Sequence, residues 1–169
     1  MEHLDSLENL LVHELRDLYH AEKQIVKALP NVMEAAHSPE LKRALEQHFH
    51  ETEGHVERLE QVFQSLGQPA KAVKCKAMAG ILDEGEDLMD LKGTPETIDA
   101  GIIASAQKVE HYEMAGYGSA ATWAAMLGRT DIKQLLGQTL QEEQQADRKL
   151  TELATAGINQ SSAVQQKAA

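Results

Sequence analysis

Carboxylates interrupt four apolar stripes in this 169-residue chain, each near the middle of its stripe. The first stripe reads Leu11, Leu15, Leu18, Glu22, Ile25, Leu29, Val32, and the last reads Leu136, Leu140, Glu143, Asp147, Leu150, Ala154. Between them come Leu41, Leu45, His48, with Glu51 and His55 beside it, then Leu59 and Val62. The remaining stripe is Ile103, Ala106, Glu110, Glu113, Tyr117, Ala121, Ala124. Residues three and four apart share one face of a helix, so these acids point where the leucines point. A lone ionised carboxylate in apolar surroundings is very costly. Acids at mid-height on every helix of a bundle are best compensated together, by shared cations.

The candidate ligands are Glu22, Glu51, His55, Glu110, Glu113, Glu143 and Asp147. Bridging carboxylates reduce the repulsion between two divalent ions about 3.5–4 Å apart. Oxygen-rich ligation with a little nitrogen suits iron, or manganese, better than a thiolate zinc site. His55 is preferred because Glu51-x3-His55 parallels Glu143-x3-Asp147, while His48 and the pair His50 and Glu53 stay open as alternatives. The competing explanation is a solvated or salt-bridged set of acids. Asp and Glu number 27 of 169, so acid pairs at helical spacing also arise by chance. Glu142, Glu86 and Asp87 fit a solvated face, and Arg58 or Lys108 could neutralise some acids without metal. Four stripes broken at one level favour the metal. His13, His20 and His111 are read as surface or supporting residues, Tyr117 chiefly as core packing, and Cys75 is given no role.

The elements that must position these residues are helical almost throughout, since no alternating strand pattern persists. Helix A is expected at about 3–36, ending at His37-Ser38-Pro39, where Ser38 caps and Pro39 starts helix B at about 39–66. Pro30 should kink or interrupt helix A. Leu66-Gly67-Gln68-Pro69 closes B, and a link to Cys75 leads to a short helix at about 77–91. Gly93-Thr94-Pro95 opens helix C at about 96–127, and Thr130 or Asp131 starts helix D, which runs to about Ala156. Gly101, Gly116 and Gly118 with neighbouring alanines predict a close helix–helix contact, within one chain or across a dimer. Short A–B and C–D loops make antiparallel pairs, whereas the long B–C link can cross the length of the bundle. That is the all-α, ferritin-like four-helix topology with one crossover, here carrying a short extra helix. One domain over 1–158 and a frayed or disordered tail over 159–169 are expected.

The 16 basic and 27 acidic residues give a formal net charge of −11, which argues against a nucleic-acid surface and suits attraction of cations. A single cysteine allows no internal disulfide and favours a reducing compartment. The start Met1-Glu2-His3-Leu4-Asp5 lacks a secretory pattern, and no apolar run approaches the roughly 20 residues of a membrane span. A cytoplasmic, soluble protein without a membrane partner is expected.

Several runs resemble the YciE/YciF-type bacterial stress proteins: Asp17–Gln24, Glu51–Arg58, Lys74–Gly80, Lys108–Gly118 and Thr139–Ala154. The likeness extends over roughly residues 4–156. It implies a ferritin-like bundle, usually dimeric, associated with stress and carrying a dinuclear metal motif. It further implies that Glu22, Glu51, Glu110, Glu113 and Glu143 occupy ligand positions and that the metal is iron. The chemistry then expected is oxidation of Fe(II), or removal of oxygen or peroxide. A metal-poor helical dimer with a structural or interaction role is the alternative. This chain departs from the broader pattern, because Glu-x-x-His is absent: Glu143 is followed three residues later by Ala146, and Glu51 by Gly54.

Overall fold

Ser6 opens the first helix, α1 (Leu7–Ala35), by accepting a hydrogen bond from the Asn9 amide at 3.1 Å. The computed structural model describes residues 4–165, and among these every regular element is helical. α1 runs on through Pro30, which sits at an exposed position, so the proline does not end the helix. Ser38 caps α2 (Pro39–Ser65) through the Leu41 amide, with Pro39 in the first turn as its fixed φ favours. α2 closes at Gly67, whose φ of +63° is the left-handed conformation that glycine adopts without a Cβ penalty.

The link after α2 returns along α1 and is tied to it by hydrogen bonds. The Val73 amide donates to the Arg16 carbonyl (3.1 Å) and the Cys75 amide to His20 Nδ1 (3.2 Å). Cys75 is fully buried, and its Sγ accepts from the Met78 amide at 3.4 Å, capping α3 (Lys76–Met89). Sγ also lies 3.1 Å from the hydroxyl of Tyr112, which donates to Asp17 at 2.5 Å. Thr94 and Pro95 start α4 (Pro95–Met126) as the sequence predicts. Gly128, at φ +72°, turns the chain into α5 (Thr130–Leu153). α5 continues through a π turn (Ala154–Ile158) into α6 (Asn159–Gln165). Thus the first part of the expected tail is helical; residues 1–3 and 166–169, including the ends of the expected helix A and tail, lie outside the described residues.

The four long helices form a square in the order α1, α2, α5, α4, with α3 laid over the α1–α4 edge. Two apolar cores occupy its two halves. One gathers Ile25, Leu29, Leu41, Leu45, Ile102 and Leu150; the other gathers Leu11, Leu15, Leu59, Val62, Tyr117 and Leu136. The first core takes the C-terminal halves of α1 and α5 and the N-terminal halves of α2 and α4. Hence α1 and α5 run one way and α2 and α4 the other. α2 ends at one end of the bundle and α4 begins at the opposite end. The link with α3 makes that crossover, as the topology required. Asp99 on α4 fixes the α1–α2 reversal, accepting from the His37 and Ser38 amides at 2.7 Å each.

Candidate metal centre

Between the two apolar cores lies a polar layer. α1 supplies Glu22, α2 supplies His48, Thr52 and His55, α4 supplies Glu110 and Glu113, and α5 supplies Glu143, all of them buried. Their donor atoms fall into two groups that could each hold an ion. His48, Glu110, Glu113 and Glu143 form one, and Glu22, His55 and Glu143 the other; within each, the donors lie within 4.8 Å of one another. Glu143 belongs to both, which is the placement of a bridging carboxylate.

The groups approach closely without forming the hydrogen bonds that burial ordinarily demands. His55 Nδ1 is 2.9 Å from Glu143 Oε1 and 3.4 Å from Glu22 Oε1, and His48 Nε2 is 3.4 Å from Glu110 Oε1. Yet both nitrogens of His48, Nδ1 of His55, both oxygens of Glu113 and of Glu143, and one oxygen each of Glu22 and Glu110 have no hydrogen-bond partner. Asp99 makes the contrast. It is equally buried, but two backbone amides satisfy its carboxylate and it needs no cation. Nine unpartnered donor atoms converging in one layer fit a pair of metal ions. Four carboxylates also balance the charge of two divalent cations, leaving the imidazoles as neutral ligands.

The electrostatics point the same way. Burial, reinforced by the charge of Glu143, pushes the Glu110 and Glu113 carboxyls well above the usual range. Burial also raises Glu22, partly opposed by His55. Burial alone would lower His55, but Glu143 and Glu22 outweigh it and raise the imidazole to about 10. Glu143 is drawn down despite its burial, because His55 and His48 face it. Without metal, the layer therefore retains protons that bound cations would displace.

Neighbouring residues fix the layer from outside. His55 Nε2 lies 2.9 Å from Glu142 Oε2, and Arg58 holds that carboxylate with two bonds of 2.8 and 3.2 Å while also donating to Thr139. A carboxylate on the outer nitrogen orients the ring so that Nδ1 faces the two groups, where a bound cation would take the place of its proton. Tyr117, fully buried, donates to Glu22 and sets its ring edge-on to His55. Burial, helped by Glu22, pushes the Tyr117 hydroxyl up, so it stays a donor.

Glu22, His55, Glu110, Glu113 and Glu143 thus meet in one layer. Glu51 and Asp147 do not join either group. Glu51 is partly exposed and accepts from Gln47 at 2.8 Å. Asp147 accepts from Gln107 at 3.0 Å and stands 3.3 Å from His111. His48 enters instead, while His50 and Glu53 pair with each other at the surface. The periodicity carried that signal: Leu41, Leu45, His48, Thr52, His55, Leu59, Val62 steps by four and three without a break. Glu51 lies off that line, one position before Thr52. Glu142, read as a solvated acid, is the partner of His55, which no spacing rule in α5 alone would reveal. α2 contributes both histidines and α4 two glutamates, giving four carboxylates and two imidazoles by another distribution over the helices.

Comparison with known proteins agrees with this architecture. E. coli (strain K12) YciF is 41% identical over 157 residues, covering 92% of this chain and 95% of that protein. The crystal structure of this E. coli stress protein superimposes with a TM-score of 0.89, over 92% of this chain and 99% of the other. YcfI of Rhodopseudomonas palustris, 43% identical, gives a TM-score of 0.86 over 88% of this chain and 94% of its own. A Xanthomonas campestris protein at 21% identity shares the fold, with a TM-score of 0.76. Over residues 6–163 the chain belongs to the family described as a domain of unknown function, DUF892.

Proposed function

We propose that this protein is a ferritin-like stress-response protein that binds a dinuclear iron centre and uses it to oxidise Fe(II), with oxygen or peroxide taking up the electrons and being removed in the same reaction. The observation that carries this reading is the set of nine unpartnered donor atoms on six buried side chains. Glu110, Glu113 and His48 would hold one ion, Glu22 and His55 the other, and Glu143 both. The likeness to a stress protein in E. coli supports the physiological half of the reading. When bound, such a centre supplies redox chemistry at two adjacent metal ions. The residues around it hold the ligands in register between two apolar cores and retain protons on Glu110 and Glu113 until a cation replaces them. Manganese suits the same donors and would give a catalase-like activity. A homodimer in the cytoplasm, with neither nucleic acid nor membrane as partner, completes the reading.

The decisive experiment loads purified protein anaerobically with Fe(II) or Mn(II) and counts bound metal by plasma mass spectrometry. Near two ions per chain, abolished in the Glu110→Ala/Glu143→Ala double variant, is the expected result. Metal no higher than in that variant would leave a metal-free bundle with a structural or interaction role. Turnover of oxygen and peroxide by each loaded form then distinguishes iron from manganese chemistry.

A further inference from the structure

A cavity of about 950 Å³ lies against the polar layer, on the side of the core formed by Ile25, Leu29, Leu45 and Leu150. Binding sites for organic molecules are commonly this large, whereas oxygen and hydrogen peroxide need a small fraction of it. Its exposed lining residues fall at two opposite edges of the helical square. Gln47, Gln145 and Lys149 stand on α2 and α5; Lys27, Asp83 and Glu86 stand on α1 and α3. The cavity therefore crosses the bundle beside the cluster.

Its inner wall includes His48 and Glu110. His48 is only 7% exposed, and neither of its nitrogens has a hydrogen-bond partner; Glu110 likewise keeps one oxygen unpartnered. Apart from the half-buried Gln24, Glu51 and Ser105 the rest of the inner wall is apolar, with no Phe, Tyr or Trp among the described lining residues, so nothing there offers a stacking face for a planar ring. An anionic head group would meet Glu51, Glu110, Asp83 and Glu86. A cationic one would meet Lys27 and Lys149, and would compete with the metal ions for the same carboxylates. An uncharged head escapes both.

We propose that this cavity binds a medium-chain aliphatic molecule with an uncharged hydroxyl-type head, an alcohol or alkyl hydroperoxide, and directs that head toward His48 and Glu110. The orientation of the head rests on the metal-binding reading; occupation of the cavity does not.

The test titrates 1-decanol, decyl hydroperoxide, decanoate and decyltrimethylammonium into metal-free protein, read by calorimetry and by shifts of methyl resonances. Decanol and the hydroperoxide should each bind once per chain, at least tenfold tighter than either charged analogue. Ala146→Trp on α5 and Ala28→Trp on α1, both in the cavity wall, should each weaken decanol at least tenfold and leave metal stoichiometry unchanged. In Co(II)-loaded wild-type protein, paramagnetic relaxation should be stronger at C1 of decanol than at its terminal methyl, a readout that needs no variant. Absence of decanol binding to wild type, a preference for a charged analogue, or stronger relaxation at the tail would each overturn the assignment. Decanol bound by a protein that takes up no metal would leave the occupied cavity standing and remove only the metal reading.

Discussion

At the scale of single residues, Glu143 is the most exposed to test, because it alone belongs to both donor groups. Glu143→Ala should lose both ions, whereas Glu22→Ala should lose one and keep the other at near one per chain by mass spectrometry. Equal losses in the two variants would contradict a shared carboxylate. Glu142 acts at one remove. Glu142→Ala frees the outer nitrogen of His55, and a loss of about 10–100-fold in metal affinity is expected by competition with a chromophoric chelator. Arg58→Ala should weaken binding in the same direction, since the guanidinium holds Glu142 in place.

The protons of the layer predict how the metal-free protein responds to pH. Unfolded glutamates ionise near about 4.3, but Glu110 and Glu113 hold their protons to well above that value in the fold. The folded state then binds more protons than the unfolded state, so stability falls as pH rises beyond the unfolded value. His55 adds to the same trend: its contribution is complete below its ordinary 6.5 and is lost as pH rises through about 10. Thermal melts of metal-free protein should show Tm declining from mildly acidic to alkaline pH, and Glu113→Gln should flatten the slope. Loaded protein should not follow this decline, because the cations have already displaced the protons. A Tm independent of pH in the metal-free form would contradict the buried, protonated carboxyls.

At the scale of elements, the sequence foretold the close contact of α4 and left its partner open. A Cβ added at Gly116 would lie 2.7 Å from Leu18 Cδ2 on α1, so the fully buried Leu18 side chain would have to shift within the core. Gly116→Ala should therefore destabilise by about 1–3 kcal/mol. Two positions on, a Cβ at Gly118 meets nothing within 4 Å. Gly118→Ala should be neutral or stabilise by up to about 1 kcal/mol through helix propensity alone. Thermal melts of the pair check both directions at once. The helices and their caps were legible because Ser38-Pro39, Gly67 and Thr94-Pro95 act locally. Inward placement of Glu22, Glu110, Glu113 and Glu143 was legible because it follows helix periodicity. That His48 rather than Glu51 stands in the donor groups depends on a rotation of well under one turn, finer than a stripe judged by its acids resolves. Asp147 lies on its stripe, yet Gln107 and His111 from another helix engage it, and such pairings between helices leave no mark in either sequence segment.

At the scale of the molecule, the polar layer separates two apolar cores and joins all four long helices. Candidate ligands on four helices would make metal binding a property of the assembled bundle, so on the proposed reading cations should stabilise the native state alone. At a free metal concentration one hundred times Kd, the gain is about 2.7 kcal/mol per independent site. Tm should accordingly rise with added Fe(II) or Mn(II) in wild type and stay fixed in Glu110→Ala/Glu143→Ala. The net charge of −11 acts in the same sense, raising the local concentration of cations around the protein.

The single thiol gives this chain an internal clock. Cys75 caps α3, lies wholly buried and touches Tyr112, so a thiol reagent can reach it only when the crossover lifts from α1 and α4. Labelling kinetics under native conditions would therefore read the opening equilibrium of that segment directly, with no introduced probe. Because α1 and α4 also carry Glu22, Glu110 and Glu113, the labelling rate with and without metal would reveal whether an event in the polar layer restrains the crossover packed on those two helices.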